Sequence, residues 1–397
     1  MTPWDEEKMQ FLASIGTWGG WATGYYLVVP FLFVLTIVVF FHELGHFLVA
    51  RWCGIRVEVF SIGFGRELLG FTDRRGTRWK ISAIPLGGYV KFLGDENAAS
   101  VPDRHAVERL SESDRRDCFY FKPLWQRAAV VSAGPIANFL LAIVIFAGIA
   151  MWYGKQETAP RVDEVIPNSA AAAAGFQPGD LVVSIDGRSI DDFSEMQRVV
   201  ATNPGRPLEF GVERAGKTIY LKATPTPTDE KGAFGGERHI GVLGVKRSLA
   251  AGDIKVQKVG PLAAIELGAN QSWNIVAGTF QYLFRLASGR ESASQIGGPA
   301  GIWLMSSEAA RLGFDVLMRW AAAISMSIGL LNLFPIPLLD GGHLLFYGLE
   351  AVRGRPLSDR AQELGFRIGF AIVLMLMVFA TYNDVWRVID LVHKLLS

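Results

Sequence analysis

The chain has 397 residues and a net charge of +1, and it is 50% hydrophobic but only 19% charged. Soluble domains are about 25% charged, so this composition, together with the apolar runs described next, excludes a disordered chain and a purely soluble enzyme. Two cysteines exclude a disulfide-stapled mini-protein, and the near-zero net charge gives no indication of nucleic-acid binding.

Four strongly apolar runs of the chain carry no charged residue: Tyr25–Phe41, Ala128–Tyr153, Trp320–Leu339 and Ile368–Asn383. A run of about 18 or more apolar residues is a candidate for a membrane-spanning helix. The first run reaches that length when it is extended to Val49, and the short fourth run is flanked by charges that can snorkel. We therefore predict a polytopic α-helical membrane protein with about four transmembrane helices, at residues 25–50, 128–153, 317–340 and 365–383.

The charges between these runs predict the orientation of the chain in the membrane. Residues 51–127 hold 14 Lys and Arg against 10 Asp and Glu, residues 154–316 hold 17 against 18, and residues 1–24 hold one against three. Cytoplasmic loops carry an excess of Lys and Arg. We therefore expect residues 51–127 in the cytoplasm, and the N-terminus 1–24, residues 154–316 and the C-terminal tail 384–397 outside it.

The end of the first run contains the motif H-E-x-x-H, formed by His42, Glu43 and His46. Two histidines four residues apart share a face of a helix, so both imidazoles can bind one zinc ion. Glu43 lies about 100° around the helix, close enough to act on water at the metal. The alternative is a pair of interfacial histidines beside a snorkelling glutamate. An acid at the centre of an apolar helix costs about 2.5–3.5 kcal/mol, which favours the metal site.

A catalytic zinc takes three protein ligands and keeps one position open for water. The third apolar run ends with two prolines, which break a helix, and is followed by Asp340 and two glycines. The predicted orientation puts Asp340 on the same side of the membrane as His42, which makes it the preferred third ligand. His343, Glu58 and Glu67 are alternative ligands, and a helix cap is an alternative role for Asp340.

These motifs resemble the site-2 protease family of intramembrane zinc metalloproteases, in particular the bacterial branch that contains the regulator of sigma-E protease. The resemblance rests on HELGH in the first run, on NLFPIPLLDG in the third, and on the segments Phe60–Gly65, Ile84–Lys91 and Ser132–Phe139. It implies that His42, His46 and Asp340 bind Zn²⁺, that Glu43 is the catalytic acid/base, and that Asn332 holds the substrate strand near the metal. The best-known members of this branch carry two tandem PDZ domains, whereas this chain has room for one.

Asn138 is a polar residue within the second apolar run, and we predict that it faces the interior of the helix bundle. Its side chain either forms a structural hydrogen bond between helices or supports the active site directly.

Three further segments complete the predicted architecture. Residues 51–127 contain alternating stretches around the turn Asp73–Gly76, which predicts a membrane-associated β-hairpin loop. We hypothesise that its strand Ile81–Ile84 is an exposed edge that pairs with an unwound substrate. Residues 160–246 resemble an inserted extracytoplasmic PDZ domain, which either binds peptides or excludes folded ectodomains. Residues 261–290 are predicted to form an amphipathic helix at the membrane surface or on that domain.

We therefore expect an intramembrane zinc metalloendopeptidase that hydrolyses peptide bonds in or near the transmembrane segments of single-span proteins. The resemblance implies anti-sigma-factor-like proteins or remnant signal peptides as substrates. It also implies a multi-pass location in the lipid bilayer of a bacterial inner membrane, with the active site towards the cytoplasm and the PDZ domain in the periplasm. One alternative is a catalytically inactive PDZ-bearing membrane scaffold, which predicts loss of a ligand or of the base. Another is a metal transporter, which predicts polar residues in the middle of several spans.

Overall fold

The computed structural model describes residues 20–95, 110–231, 237–247, 254–289, 291–293 and 296–396. This described part of the chain divides into two compact units. The first contains the residues before 147, residues 267–278 and the residues from 297 onwards, and the second contains residues 147–266 and 279–296. Most of the predicted N-terminal segment 1–24 lies outside the described residues.

Eight α-helices precede or follow the sheet of the second unit along the described part of the chain, and they include the long apolar helices. Their bounds are α1 Gly20–Trp52, α2 Glu112–Asp117, α3 Leu124–Tyr153, and, after the second unit's elements, α6 Pro261–Ala287, α7 Pro299–Leu312, α8 Phe314–Asn332, α9 Asp340–Arg353 and α10 Asp359–Leu396. Four stretches are long and apolar enough to cross a membrane: Val28–Trp52, Leu124–Tyr153, Phe314–Asn332 and Arg360–Trp386. The prediction of four such helices is therefore confirmed for the described part of the chain.

Two long strands, β1 Val57–Thr72 and β2 Arg78–Phe92, form the antiparallel hairpin that follows α1. The first part of β1 pairs on one side with residues 88–92 and on the other with residues 78–81, and the last part of β1 also pairs with residues 78–82. Ile81 thus has Ile62 on one side and Leu69 on the other. The hypothesis of an exposed edge at Ile81–Ile84 is therefore wrong at Ile81, because β1 covers both sides of that residue. Ser82 pairs with Glu67, and Ile84 pairs with Phe64. Among the described residues, 88–92 pair with β1 on one side only, and the N–H of Phe92 donates to the carboxylate of Asp95.

Apolar packing joins these elements in the first unit. One buried cluster includes Phe47 of α1, Phe60 and Val90 of the hairpin, Phe119 of a 3₁₀ turn and Val131 of α3. Burying one such side chain contributes roughly 1.5–3 kcal/mol. A second cluster packs α1 against α7 and α8, and a third packs α3 against α8. The hairpin and α3 are thereby held against the HELGH end of α1.

The chain between α8 and α9 corrects the predicted span 317–340. The helix begins at Phe314 and ends at Asn332, and a new helix begins at Asp340. Pro335 and Pro337 have no backbone N–H to continue the helical hydrogen bonds, so the chain leaves the helix between these points. Asp340 therefore stands in the first turn of α9 and not at the end of α8.

The C-terminal segment 384–397, predicted as a tail, is helical up to Leu396 because α10 continues through it. Within α10, the buried carboxylate of Asp384 accepts hydrogen bonds from the backbone N–H groups of Gly298 and Gly301. These are donors at the start of α7 that the helix itself leaves unpaired. Asp384 thus joins α10 to α7.

The second unit is built on a four-stranded antiparallel sheet with strand order β6-β5-β7-β8. Its elements are β3 Lys155–Thr158, β4 Glu164–Val165, α4 Ala170–Ala174, β5 Leu181–Ile185, β6 Arg188–Ser189, α5 Phe193–Ala201, β7 Leu208–Arg214, β8 Lys217–Ala223, β9 Thr226–Lys231, β10 Glu237–Val242, β11 Val245–Lys246 and β12 Ile254–Gln257. Its core includes Val182, Met196 and Phe210, and Arg214 donates two hydrogen bonds to the buried carboxylate of Asp180.

Candidate metal centre

Three side chains from two distant parts of the sequence converge beside the hairpin. His42 and His46 project from the same face of α1, and their Nε2 atoms are 3.3 Å apart. Oδ2 of Asp340 lies 3.2 Å from Nε2 of His42 and 3.6 Å from Nε2 of His46. All three side chains are partly buried. Among the described residues, this is the group of His, Cys and acidic side chains that could hold a metal ion.

The geometry of this group fits a tetrahedral zinc ion. Ligand atoms about 2.0–2.1 Å from such an ion are separated from each other by about 3.3 Å, which matches the observed triangle. Oδ2 of Asp340 is buried and takes part in no hydrogen bond. A buried carboxylate oxygen without a hydrogen-bond donor is costly, and a cation would remove that cost. Two imidazoles and one carboxylate are also a donor set typical of catalytic zinc.

Helix α3 supplies a partner for the second ring nitrogen of each histidine. Nδ1 of His46 donates to the backbone carbonyl oxygen of Val130 at 2.8 Å. This contact puts the proton on Nδ1 and leaves the lone pair of Nε2 directed into the group, the arrangement usual for a metal-binding histidine.

Asn138 occupies the corresponding position beside His42. Its side-chain amide nitrogen lies 3.2 Å from Nδ1 of His42, and its amide oxygen is buried without a hydrogen bond. The amide can turn by 180°, so with a metal on Nε2 its oxygen can accept from the Nδ1–H. The backbone oxygen of Asn138 also accepts from the hydroxyl of Ser325 in α8. The structure thus gives Asn138 both a contact with the candidate site and a contact between helices.

Glu43 lies beside the group on α1 and lines the same cavity. The backbone N–H of Val90 donates a hydrogen bond to its carboxylate. The N–H groups along a strand alternate between its two sides. Since the N–H of Val90 bonds to Glu43, it points away from β1. The base candidate and the edge of β2 therefore face each other.

A cavity of about 1000 Å³ surrounds these residues within the first unit. Its lining includes Asn332, Leu338 and the edge residues 87–90. Arg127, Tyr347 and Glu350 also line it, and Glu350 lies ten residues along α9 from Asp340. Leu338 has a φ of +115°, a backbone conformation that is unfavourable for a residue with a side chain. Burial raises the pKa of Tyr347 to about 12, so its hydroxyl keeps its proton at neutral pH.

The alternative ligands predicted from the sequence do not belong to the three-residue metal group. His343 lines the cavity but is not a member of the three-residue group. Glu58 forms an ion pair with Lys91, and Glu67 forms one with Arg78. No motif in the sequence predicts the contacts of Val130, Arg127 and Glu350. The only feature of the sequence that marks Arg127 is its position directly before the second apolar run.

Comparisons with known proteins identify the family of this chain. The model of Peptidase family M50 matches residues 30–376. A relative in Rhizobium meliloti, named "Putative zinc metalloprotease", is 52% identical over 91% of this chain and 96% of its own length. A relative of the same name in Agrobacterium fabrum is 50% identical over 92% of this chain and 97% of its own length. The metalloprotease MmpA of Caulobacter vibrioides is 42% identical over 91% of this chain and 96% of its own length.

Proposed function

The chain belongs to peptidase family M50, and from this we propose that it is a zinc metalloprotease that cleaves other membrane proteins in or next to their membrane-spanning segments. The observation that carries the proposal is the convergence of His42, His46 and Asp340, with Glu43 beside them, at the end of an apolar helix. A soluble protease would not need four helices apolar enough to cross a membrane.

His42, His46 and Asp340 would hold the zinc ion. When bound, the ion polarises the scissile carbonyl and lowers the pKa of its bound water to about 7. Glu43 accepts the proton of the attacking water and then donates it to the nitrogen of the leaving amine. Asn138 and Val130 hold the two imidazoles in the required tautomer during both steps.

The edge of β2 beside Glu43 is suited to hold the substrate. A helical substrate hides its carbonyl groups in its own hydrogen bonds, so it must unwind before water can attack. An unwound segment can then pair with a free strand edge through backbone hydrogen bonds. Residues 88–92 pair with β1 on one side, and residues 87–90 line the cavity. We propose that the scissile segment lies beside residues 87–89 of this edge, next to the Val90 N–H that bonds to Glu43, and that Asn332, which lines the same cavity, holds it there.

The remaining proposals concern partners and location. The excess of Lys and Arg in residues 51–127 supports a cytoplasmic active site in a bacterial inner membrane. The second unit would then lie outside the cytoplasm as a single PDZ-like domain over residues 160–246. The four-stranded sheet and the two short helices α4 and α5 of this unit are compatible with such a domain. Single-span proteins similar to anti-sigma factors and remnant signal peptides are the proposed substrates.

The decisive experiment uses the purified full chain in detergent or liposomes and a single-span model substrate. We expect the wild type to contain zinc by elemental analysis and to cleave the substrate, and a chelator to abolish cleavage. The variant Glu43→Gln should retain the zinc and lose cleavage, because an amide cannot accept the proton of water. The matched control is Glu58→Gln, which removes a carboxylate that is paired with Lys91.

Three outcomes would contradict the proposal. Full turnover by a zinc-loaded Glu43→Gln variant would refute the role of Glu43. A wild type that binds zinc but cleaves no single-span substrate would instead favour the inactive scaffold. A wild type without zinc would refute the metal site itself.

A further inference from the structure

The lining of the cavity includes an ion pair between α3 and α9. Arg127 donates to both carboxylate oxygens of Glu350, from Nη2 at 2.6 Å and from Nη1 at 3.3 Å. The two side chains are only 15% and 16% exposed. The Nε of Arg127 also donates to the carbonyl oxygen of Lys122, and its guanidinium lies 5.0 Å from the ring centre of Tyr347. The fork of the arginine is therefore held in one orientation.

Stability alone does not account for this pair. Removing two charges from water costs several kcal/mol per ion, and apolar residues of similar volume often stabilise such a site equally well. What a two-pronged pair does provide is geometry, because both hydrogen bonds form only when the two planar groups are aligned. The pair thus restricts how α3 and α9 can move relative to each other.

Both helices also reach the metal group. Asp340 is the first residue of α9, and Glu350 follows ten residues later in the same helix, about 15 Å along its axis. Both residues line the cavity, so α9 presents one continuous side to it. The helix is therefore a rigid link between the candidate metal ligand at one end and the ion pair at the other.

On the other side of the pair, Arg127 precedes Val130 by one helical turn of α3. The carbonyl oxygen of Val130 accepts the Nδ1–H of His46. The contacts therefore close a loop: from Asp340 along α9 to Glu350, across to Arg127, along α3 to Val130, and through His46 back to Asp340. Within this loop, only Asp340 and His46 are candidate metal ligands.

We propose that Arg127 and Glu350 are positioning residues that set the separation between Asp340 and His46 and thereby tune metal binding. The inference rests on the proposed zinc site. Neither residue touches the metal group, so both act through the helices that carry His46 and Asp340. When the pair is broken, α9 can shift along α3 and the three ligand atoms no longer match the size of the ion.

The test measures the metal centre directly. Zinc affinity is determined by competition with a chromophoric chelator for the purified full chain and for Arg127→Ala, Glu350→Ala, Glu350→Gln and the double variant Arg127→Ala/Glu350→Ala. The same proteins are loaded with Co²⁺, whose visible absorption reports the coordination geometry. Arg127→Lys keeps the charge but loses the two-pronged geometry. The matched control is Arg367→Ala, which removes an exposed ion pair with Glu363 in α10.

We expect each single substitution to weaken zinc binding about 10- to 100-fold and to alter the Co²⁺ spectrum, the range typical for residues that support metal ligands. The double variant should be no weaker than the single ones, because both remove the same link. Arg127→Lys should be intermediate, and Arg367→Ala should match the wild type. Glu350→Gln keeps the shape of the side chain, so its zinc affinity tests the inference even if the alanine variants do not fold.

Unchanged zinc affinity and an unchanged Co²⁺ spectrum in Glu350→Gln and Arg127→Lys would overturn the inference while leaving the proposed protease function intact. A lower melting temperature with an unchanged spectrum would also overturn it, since that result is expected of a merely structural pair. Failure of the wild type to bind zinc would refute the proposed function instead, so the two failures are distinguishable.

Discussion

Gly134 of α3 lies directly against His46 of α1. A Cβ atom on Gly134 would be 2.2 Å from Nε2 of His46 and 2.9 Å from Cε1 of His42. Gly45 has a similar relationship in the opposite direction, because its Cβ would lie 2.2 Å from the carbonyl oxygen of Ala133. The absence of two side chains therefore lets α3 approach the HELGH face closely enough to support both imidazoles.

This contact predicts that Gly134→Ala displaces His46 and weakens zinc binding at least about ten-fold, since a Cβ at that distance requires something to move. Elemental analysis and chelator competition on the purified protein would measure the loss. Gly148→Ala in the same helix is the control, because a Cβ there meets nothing within 4 Å. It should bind zinc normally, and alanine should even favour the helix by up to about 1 kcal/mol. Equal zinc affinity in the two variants would contradict the prediction.

The second prediction concerns Asn138. Replacement by leucine removes the partner of His42 Nδ1, so the ring loses its preferred tautomer and orientation. We expect zinc affinity or cleavage to fall about 10- to 100-fold. Ser325→Ala is the control, because it removes a hydrogen bond between α8 and α3 without touching the imidazole. If both variants lose stability but neither loses zinc, then Asn138 serves only to join the helices.

The third prediction concerns the edge of β2. A photo-crosslinking amino acid at Tyr89, which lines the cavity, should capture a substrate bound to the inactive Glu43→Gln protein. The same amino acid at Phe71 should not, because Phe71 is exposed on the opposite part of the hairpin, where it pairs with Trp79. Mass spectrometry would identify the captured residues. Equal capture at the two positions would mean that the substrate does not distinguish the two edges.

The fourth prediction uses Asp73 in the turn of the hairpin. Burial acts to raise the pKa of Asp73, but hydrogen bonds from Trp79, from the backbone N–H groups of Thr77 and Arg75, and from Arg51 outweigh it and lower the pKa to about 2. A lowered pKa in the folded state stabilises the fold above the unfolded value of about 3.9, and this contribution disappears as the pH falls towards 2. Asp73→Asn should remove it at neutral pH as well.

The expected cost of Asp73→Asn is on the order of 2 kcal/mol, as for hydrogen bonds to a charged group. Limited proteolysis of the hairpin between pH 7 and pH 3 would measure it. The wild type should become more susceptible below about pH 4, whereas the variant should be susceptible throughout. Asp117→Asn, which removes a half-exposed ion pair with Arg56, should behave like the wild type. A variant whose protection still depends on pH in that range would show that another group is responsible.

The sequence alone was sufficient for the features that depend on local spacing. His42 and His46 share a face because of the period of the helix, and the four charge-free runs predict the four apolar helices because lipid excludes charge. The two prolines predict a break in the third span, but not that Asp340 begins a new helix. The motifs also carried the resemblance to a family that the comparisons confirm.

Contacts between distant residues depended on the tertiary structure, because helical and strand periodicity says nothing about which faces meet. The sequence could not decide that β1 folds back over Ile81, so the prediction of an exposed edge failed at Ile81, and the edge beside Glu43 emerged only from the register. It left two roles open for Asn138, and the packing of α3 provides contacts for both. The ion pair of Arg127 with Glu350 joins residues 223 positions apart. Such pairs form only when the burial of apolar faces has already brought their helices together.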